Sequence, residues 1–216
     1  AGNGPVVSAL QTMSLEMGEE AALGFLRKCA AEPEIMADIP EDRGALVWAR
    51  RVAGVGFDGP IDAHFEAALD DSSIDRASIE AVAAMNREWG SARGIQRAEK
   101  MEGWLAMNPA GRAADLAMLH GCWWSASKDE PMVASKGFTP PSDRYAEIAL
   151  GLAFWTRDLI EQMTRAQYAE RLAGALLAGK AFAAQYAQTK SAHGVVDFDD
   201  MIRKTAALLD TGGMSE

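Results

Sequence analysis

From Ser142 to Glu216 the chain carries no proline, and along the first part of this stretch Tyr145, Ile148, Leu152, Trp155, Leu159 and Met163 recur at steps of three and four residues. That spacing is one face of an α-helix packed along another helix. Further on, Tyr168, Leu172, Leu176, Phe182 and Tyr186 recur at steps of about four, and Gly179 falls on the same stripe, where a small residue lets a neighbouring helix come close. An unbroken helix from 143 to 192 would be roughly 75 Å long at 1.5 Å per residue, unusual for a compact domain. A break near Thr164 to Gln167 is therefore expected, giving a long C-terminal helical hairpin or bent helix.

The remainder reads the same way. Helical periodicity covers about 7–31, 42–54, 60–70, 75–89, 92–107, 110–121, 143–164, 167–191 and 198–210, and the one β-branched run worth naming is the short Gly194-Val195-Val196. Pro33, Pro40, Pro60 and Pro109 punctuate these segments, and Ser73, Ser91 and Ser142 stand where N-caps belong. The fold class expected is all-α, an irregular helical bundle. Residues 125–143, SASKDEPMVASKGFTPPSD, form the one clear loop, too long for a simple connector and read as a mobile segment or a contact surface; a two-domain organisation would place its boundary there. No solenoid repeat or low-complexity tract is present in the sequence.

A chain of 216 residues with 49% hydrophobic content can bury a substantial core. Its net charge of −10 argues against a large nucleic-acid footprint, which needs clustered Lys and Arg. Two local groups stand against that average, Arg43 with Arg50 and Arg51, and Arg87, Arg93, Arg97 and Lys100; each reads most simply as a solvated helix face. Cys29 and Cys122 are far apart and suggest neither a disulfide framework nor a zinc ribbon, which fits a reducing cytoplasm. The sequence contains no apolar stretch of membrane-spanning length and no signal core near the N-terminus. With no initiating Met and an end at LLDTGGMSE, it reads as a piece of a longer protein.

Residues Gly174 to Ala181, GALLAGKA, come within one residue of the phosphate-binding string G-x-x-x-x-G-K-S/T. Ala181 replaces the hydroxyl that would hold magnesium, and the flanking sequence is helix interior, where backbone N–H groups are already bonded. His120 and Cys122 lack further ligands at metal spacing, with His64, His193 and Cys29 elsewhere; Cys122-Trp123-Trp124 reads as buried packing at a helix end. Asp70-Asp71 and Glu19-Glu20 fall at turns or exposed faces, and no nucleophile, base and orienting group can be assembled from the sequence.

One segment stands out, HGVVDFDDMIRKTAALLD, residues 193–210. Asp197 is placed to cap a helix, and Asp199 and Asp200 add negative charge at the positive end of its dipole. Phe198, Met201, Ile202, Ala206 and Leu209 form its apolar face. Gly194 fits the end of the preceding helix, with Lys190 and His193 in its last turn.

Together with Tyr186, Lys190 and Gly194, the string Asp197, Phe198, Asp199, Asp200, Met201 and Ile202 resembles that of superfamily 1 DNA helicases of the UvrD and RecB type, and among these the AddA-like helicase–nuclease subunits of double-strand-break repair. In that family D-F-D-D-L-I/L follows a long helix; Met201 replaces the commoner Leu here. The resemblance covers roughly residues 143 to 210, and residues 1–142 match no motif. It implies a helical insertion domain, called 1B, with 1–142 as its variable part, 143–196 as its long helices and 197–216 starting the return to the motor core. It further implies ATP and Mg2+ bound elsewhere in the parent, no catalytic, cofactor or metal site in this segment, and a role in positioning duplex DNA or the partner subunit of an AddAB-type complex. For DNA contact the candidates are Arg87, Arg93, Arg97 and Lys100. The three aspartates act as helix caps, since carboxylates repel phosphates. The rival reading is a stand-alone acidic helical module that binds another protein.

Overall fold

The computed structural model describes residues 4–41, 43–132, 142 and 144–212. Over these the chain is all-α apart from one two-stranded hairpin. It divides into two compact units, one of residues 55–167 and one of residues 1–54 with 168–216. These units cut across the segments 1–142, 143–196 and 197–216, and the division falls at Gly54/Val55 and Gln167/Tyr168, outside the 125–143 loop. Of that loop, residues 133–141 and 143 lie outside the described residues.

Before the central unit come α1 (Gly4–Met17), α2 (Glu19–Ala31), α3 (Pro33–Asp38) and α4 (Arg43–Val52). Within it lie α5 (Ile61–Ala68), α6 (Arg76–Trp89), α7 (Ala92–Leu105), α8 (Pro109–Ala114), α9 (Leu116–His120), β1 (Trp124–Ser125) and β2 (Glu130–Pro131); α10 (Arg144–His193) and α11 (Phe198–Gly212) complete the chain.

The starts of α6, α7 and α8 are set by local side chains. Asp75 Oδ1 accepts the Ser78 N–H at 3.0 Å, Ser91 Oγ the Gly94 N–H at 3.0 Å, and Asn108 Oδ1 the Gly111 N–H at 2.8 Å, with Pro109 at the first helical position of α8. The cap expected at Ser73 is thus made by Asp75, because Ser73 belongs to the Asp70–Ser73 turn. Ser142 Oγ accepts the Arg144 N–H at 3.2 Å at the start of α10.

The core of this unit joins Phe65, Leu69, Ile79, Val82, Met101, Trp104, Leu119, Trp123, Tyr145 and Leu152. Arg112, 2% exposed, is threaded through it. Its guanidinium donates to Leu69 O (2.9 Å), Leu105 O (2.8 Å) and Asp71 Oδ1 (2.7 Å) and lies over the Trp104 ring, whose Nε1–H returns a bond to Arg112 O. The Leu69 carbonyl, just past the end of α5, is satisfied this way, and the Leu105 carbonyl at the end of α7 is shared with Arg76.

In the terminal unit, Met13, Ala22 and Ala178 are buried with Leu10, Phe25 and Ala175 against them. Along its stretch of α10 Leu176 is buried, but the other buried residues are small, Ala169, Ala173, Ala178 and Ala183, whereas Tyr168 and Tyr186 are 58% and 40% exposed. The stripe read from the sequence holds at Leu176 and at Gly179, which meets Cys29, and is corrected at Tyr168 and Tyr186: alanines take the contact because small residues allow a close approach, and the tyrosines flank it.

Three further expectations are revised. The segment 7–31 is two helices, turning at Gly18, whose φ of 82° is outside the helical region. The segment 110–121 is likewise divided into α8 and α9 at Asp115. No break occurs at Thr164 to Gln167: α10 runs unbroken for 50 residues. No Pro or Gly interrupts 152–173, Thr164 Oγ1 bonds back to Ile160 O, and Arg165 pairs with Glu161 one turn earlier. Length argued for a break in one compact domain; each unit instead packs on its own stretch of the helix.

Candidate functional site

The turn between α10 and α11 is closed by backbone bonds and ion pairs on both sides. Gly194, in the left-handed region at φ 64°, closes α10: Gly194 N–H bonds Ser191 O and Val195 N–H bonds Lys190 O, the pair that ends many helices. Two residues later Asp197 opens α11. Its Oδ1 accepts the Asp200 N–H at 2.9 Å, and Asp200 Oδ2 accepts the Asp197 N–H at 3.3 Å, a reciprocal cap with Asp at the position usually held by Glu or Gln.

Lys190 Nζ bridges the two carboxylates, donating at 2.7 Å to Asp197 Oδ2 and at 2.6 Å to Asp200 Oδ2, and sits over the Tyr186 ring. Arg203 donates to Asp200 Oδ1 at 3.0 Å and to Ala31 O at 2.6 Å. Asp200 is held far below the usual carboxylate range by Lys190 and then Arg203, and Asp197 is lowered by Lys190 and by the Asp200 N–H. Burial alone would lower Lys190; its bonds to the two aspartates outweigh this and keep it above the usual lysine range.

All of this charge is consumed internally, so the turn has the geometry of a fastening. The Asp199 side chain lies outside the described residues. Phe198, Met201 and Ile202 are 70%, 50% and 53% exposed, and Leu209 is 72% exposed. The apolar face read from the sequence therefore exists and points to solvent. What the sequence did not reveal is Arg203, whose reach to the α2 carboxyl end depends on tertiary placement.

The four basic candidates do not form one group. Arg87 is committed to Glu102, with Nε 2.7 Å from Oε1 and Nη2 2.5 Å from Oε2, which holds Glu102 below its usual range. Arg93, Arg97 and Lys100 follow at i, i+4 and i+7 on α7. Arg93 and Lys100 are exposed; Arg97 is half-buried, its Nη2 3.6 Å from Met132 Sδ beside the hairpin.

Nothing in the GALLAGKA stretch is available to a phosphate. It is the interior of α10, and Lys180 Nζ donates to Ile39 O at 2.7 Å and Ala37 O at 3.2 Å, closing the end of α3. Both thiols are buried, and burial pushes Cys29 up and Cys122 up to about 11, away from a reactive thiolate. Among the described residues no three His, Cys, Asp or Glu lie together as a metal site, and no helix is long and apolar enough to cross a membrane.

His120 has a structural partner. Thr156 Oγ1 accepts the Trp123 Nε1–H at 2.9 Å, lies within bonding distance of Leu152 O at 2.9 Å, and shares a hydrogen bond with His120 Nδ1 at 2.7 Å. Burial, then Arg157, lowers the His120 pKa, with Asp129 opposing. The ring stacks on Trp124, which Arg157 also covers. This hub fixes the start of the hairpin.

No family model matches the chain, and no curated protein or solved structure is detectably similar to it.

Proposed function

We propose that the chain is a non-catalytic helical insertion domain of an AddA-like DNA helicase, which positions duplex DNA or the partner subunit while ATP and Mg2+ act elsewhere in the parent. The observation that supports this most is α11. A turn fully bonded by Lys190, Asp197 and Asp200 delivers an amphipathic helix whose Phe198, Met201, Ile202 and Leu209 are exposed. That is the arrangement of a helix returning toward an apolar surface outside this segment. The D-F-D-D string carries the resemblance to the family, and the internal use of the Asp197 and Asp200 carboxylates supports a capping role.

For DNA, α7 offers Arg93, Arg97 and Lys100, with Arg87 withdrawn by Glu102. Few phosphates can be neutralised and the net charge of −10 opposes approach, so binding to a labelled duplex should fall in the non-specific range of about 10⁻⁴ to 10⁻⁶ M and weaken steeply with salt. Fluorescence anisotropy at two salt concentrations, with Arg93→Glu and Lys100→Glu, measures this. Tight, salt-insensitive binding would overturn the electrostatic argument; no binding at low salt would transfer the role to the partner subunit. The gene itself gives the decisive check: a G-x-x-x-x-G-K-S/T string upstream and a strand ending in D-E-x-Q-D downstream are expected, and their absence would leave the acidic protein-binding module.

A further inference from the structure

The outward face of α11 raises the question of what holds the helix in place. Part of that same face does not close on the terminal unit either: Ile202 and Ala206, with Arg203 beside them, stand across an open cleft of about 510 Å³ from Ala31, Glu32 and Glu34. A 15-residue helix is marginal in water by itself, and Phe198, Met201, Ile202, Leu208 and Leu209 are each half exposed or more. The named contacts that cross from α11 to the rest of the unit are polar. Lys190, on α10, reaches Asp197 and Asp200; Arg203 reaches Ala31 O at 2.6 Å and stands 3.9 Å from Glu34.

The remaining bonds travel with the helix. The Asp197–Asp200 cap and the Arg203–Asp200 pair lie wholly within residues 197–203, so they survive if α11 moves. Between the last bond that closes α10, Val195 N–H to Lys190 O, and the Asp197 cap, Val196 is the only residue, and it is 52% exposed. From this division of bonds we infer that α11 is a hinged arm, pivoting at residues 194–196 and clasped to the terminal unit by Lys190 and Arg203. The clasp is made of partly exposed ion pairs, which salt weakens, whereas apolar packing strengthens or holds in salt. What takes up the arm's apolar face rests on the function proposed above; the release of the arm does not.

Hydrogen–deuterium exchange on the whole chain tests it. With Lys190→Met and Arg203→Gln combined, amides of 198–212 should exchange about tenfold faster, the loss of two partly exposed clasps, while those of 55–167 and of α2 keep their protection. Raising NaCl to about 1 M on the unsubstituted chain should shift the same amides in the same direction, with no substitution to misfold. Unchanged protection of α11 in both experiments would overturn the arm, since packing would then hold the helix. Loss of protection in α2 in step with α11 would overturn it as well, because the helix would be part of one cooperative core. Neither readout involves DNA or a partner, so failure of the proposed function leaves the result intact.

Discussion

Gly179 on α10 faces Cys29 on α2 so closely that a β-carbon at 179 would lie 2.6 Å from Cys29 Sγ and 3.2 Å from its Cβ. Such contacts require one helix to shift. Gly179→Ala gains about 1 kcal/mol in helix propensity, but overpacking at a rigid contact costs about 1–3 kcal/mol. The two effects separate in a double-mutant cycle: in a Cys29→Ala background, where the sulfur is gone, Gly179→Ala should be distinctly better tolerated. Urea denaturation measures the coupling, and additive effects would contradict the contact.

Lys180, next to that glycine, should matter to α3 and not to nucleotides. ATP with Mg2+ is expected to leave the melting temperature unchanged, since a ligand stabilises only a fold that binds it. Lys180→Ala should instead lower the melting temperature by removing the donor to Ile39 O and Ala37 O. A nucleotide-dependent shift of several degrees, lost in Lys180→Ala, would show that the lysine serves a phosphate.

Acid should loosen α11. Asp197 and Asp200 are lowered below their unfolded values in the folded state. Their contribution is complete above the unfolded carboxylate pKa of about 3.9 and is lost as pH falls below it. Helicity and amide protection of 198–212 should therefore decline below about pH 4, and Lys190→Met, which removes the first cause of both shifts, should flatten that response. A pH profile unaffected by the substitution would mean that other groups control it.

His120 gives the central unit a second pH response. Its folded pKa is lowered, by burial first and then by Arg157, so the neutral ring is favoured and stability is lost as pH falls from the unfolded value of about 6.5. The emission of Trp123 and Trp124, bonded to and stacked on this hub, should change between about pH 6.5 and 5. Asn at 120 retains a hydrogen-bonding group for Thr156 and does not titrate, so His120→Asn should remove the change; its persistence would place the titration elsewhere.

Arg112 should be costly to truncate. Arg112→Ala removes the donor shared by Leu69 O and Leu105 O, and Arg76 continues to serve only the latter. A buried carbonyl without a partner, a lost charge-assisted bond to Asp71 and a void beside Trp104 should together destabilise the unit by about 3 kcal/mol. A loss of about 0.5 kcal/mol or less, the usual size for a surface change, would show that water replaces the guanidinium.

Most of the helices were legible in the sequence alone, because apolar spacing and capping are local, whereas the short α3 and the divisions at Gly18 and Asp115 were not. Ser91 caps α7, Gly194 ends α10, and Asp197 starts α11 through bonds spanning at most five residues. Local bonding also made GALLAGKA legible as helix interior. Other features depend on residues far apart in the chain. The sequence suggested a close approach at Gly179, but the identity of Cys29 as its neighbour lies 150 positions away. Arg87 looks like a free cation until α6 and α7 pair and bring Glu102 to it. The unbroken course of α10 followed from local chemistry that contained no breaker, while the expected break came from assuming one compact domain; only the division into two units resolves the difference. Whether the apolar side of α11 would be buried was likewise a tertiary question. Periodicity creates an apolar face, but what that face meets is decided by the surfaces that fold around it.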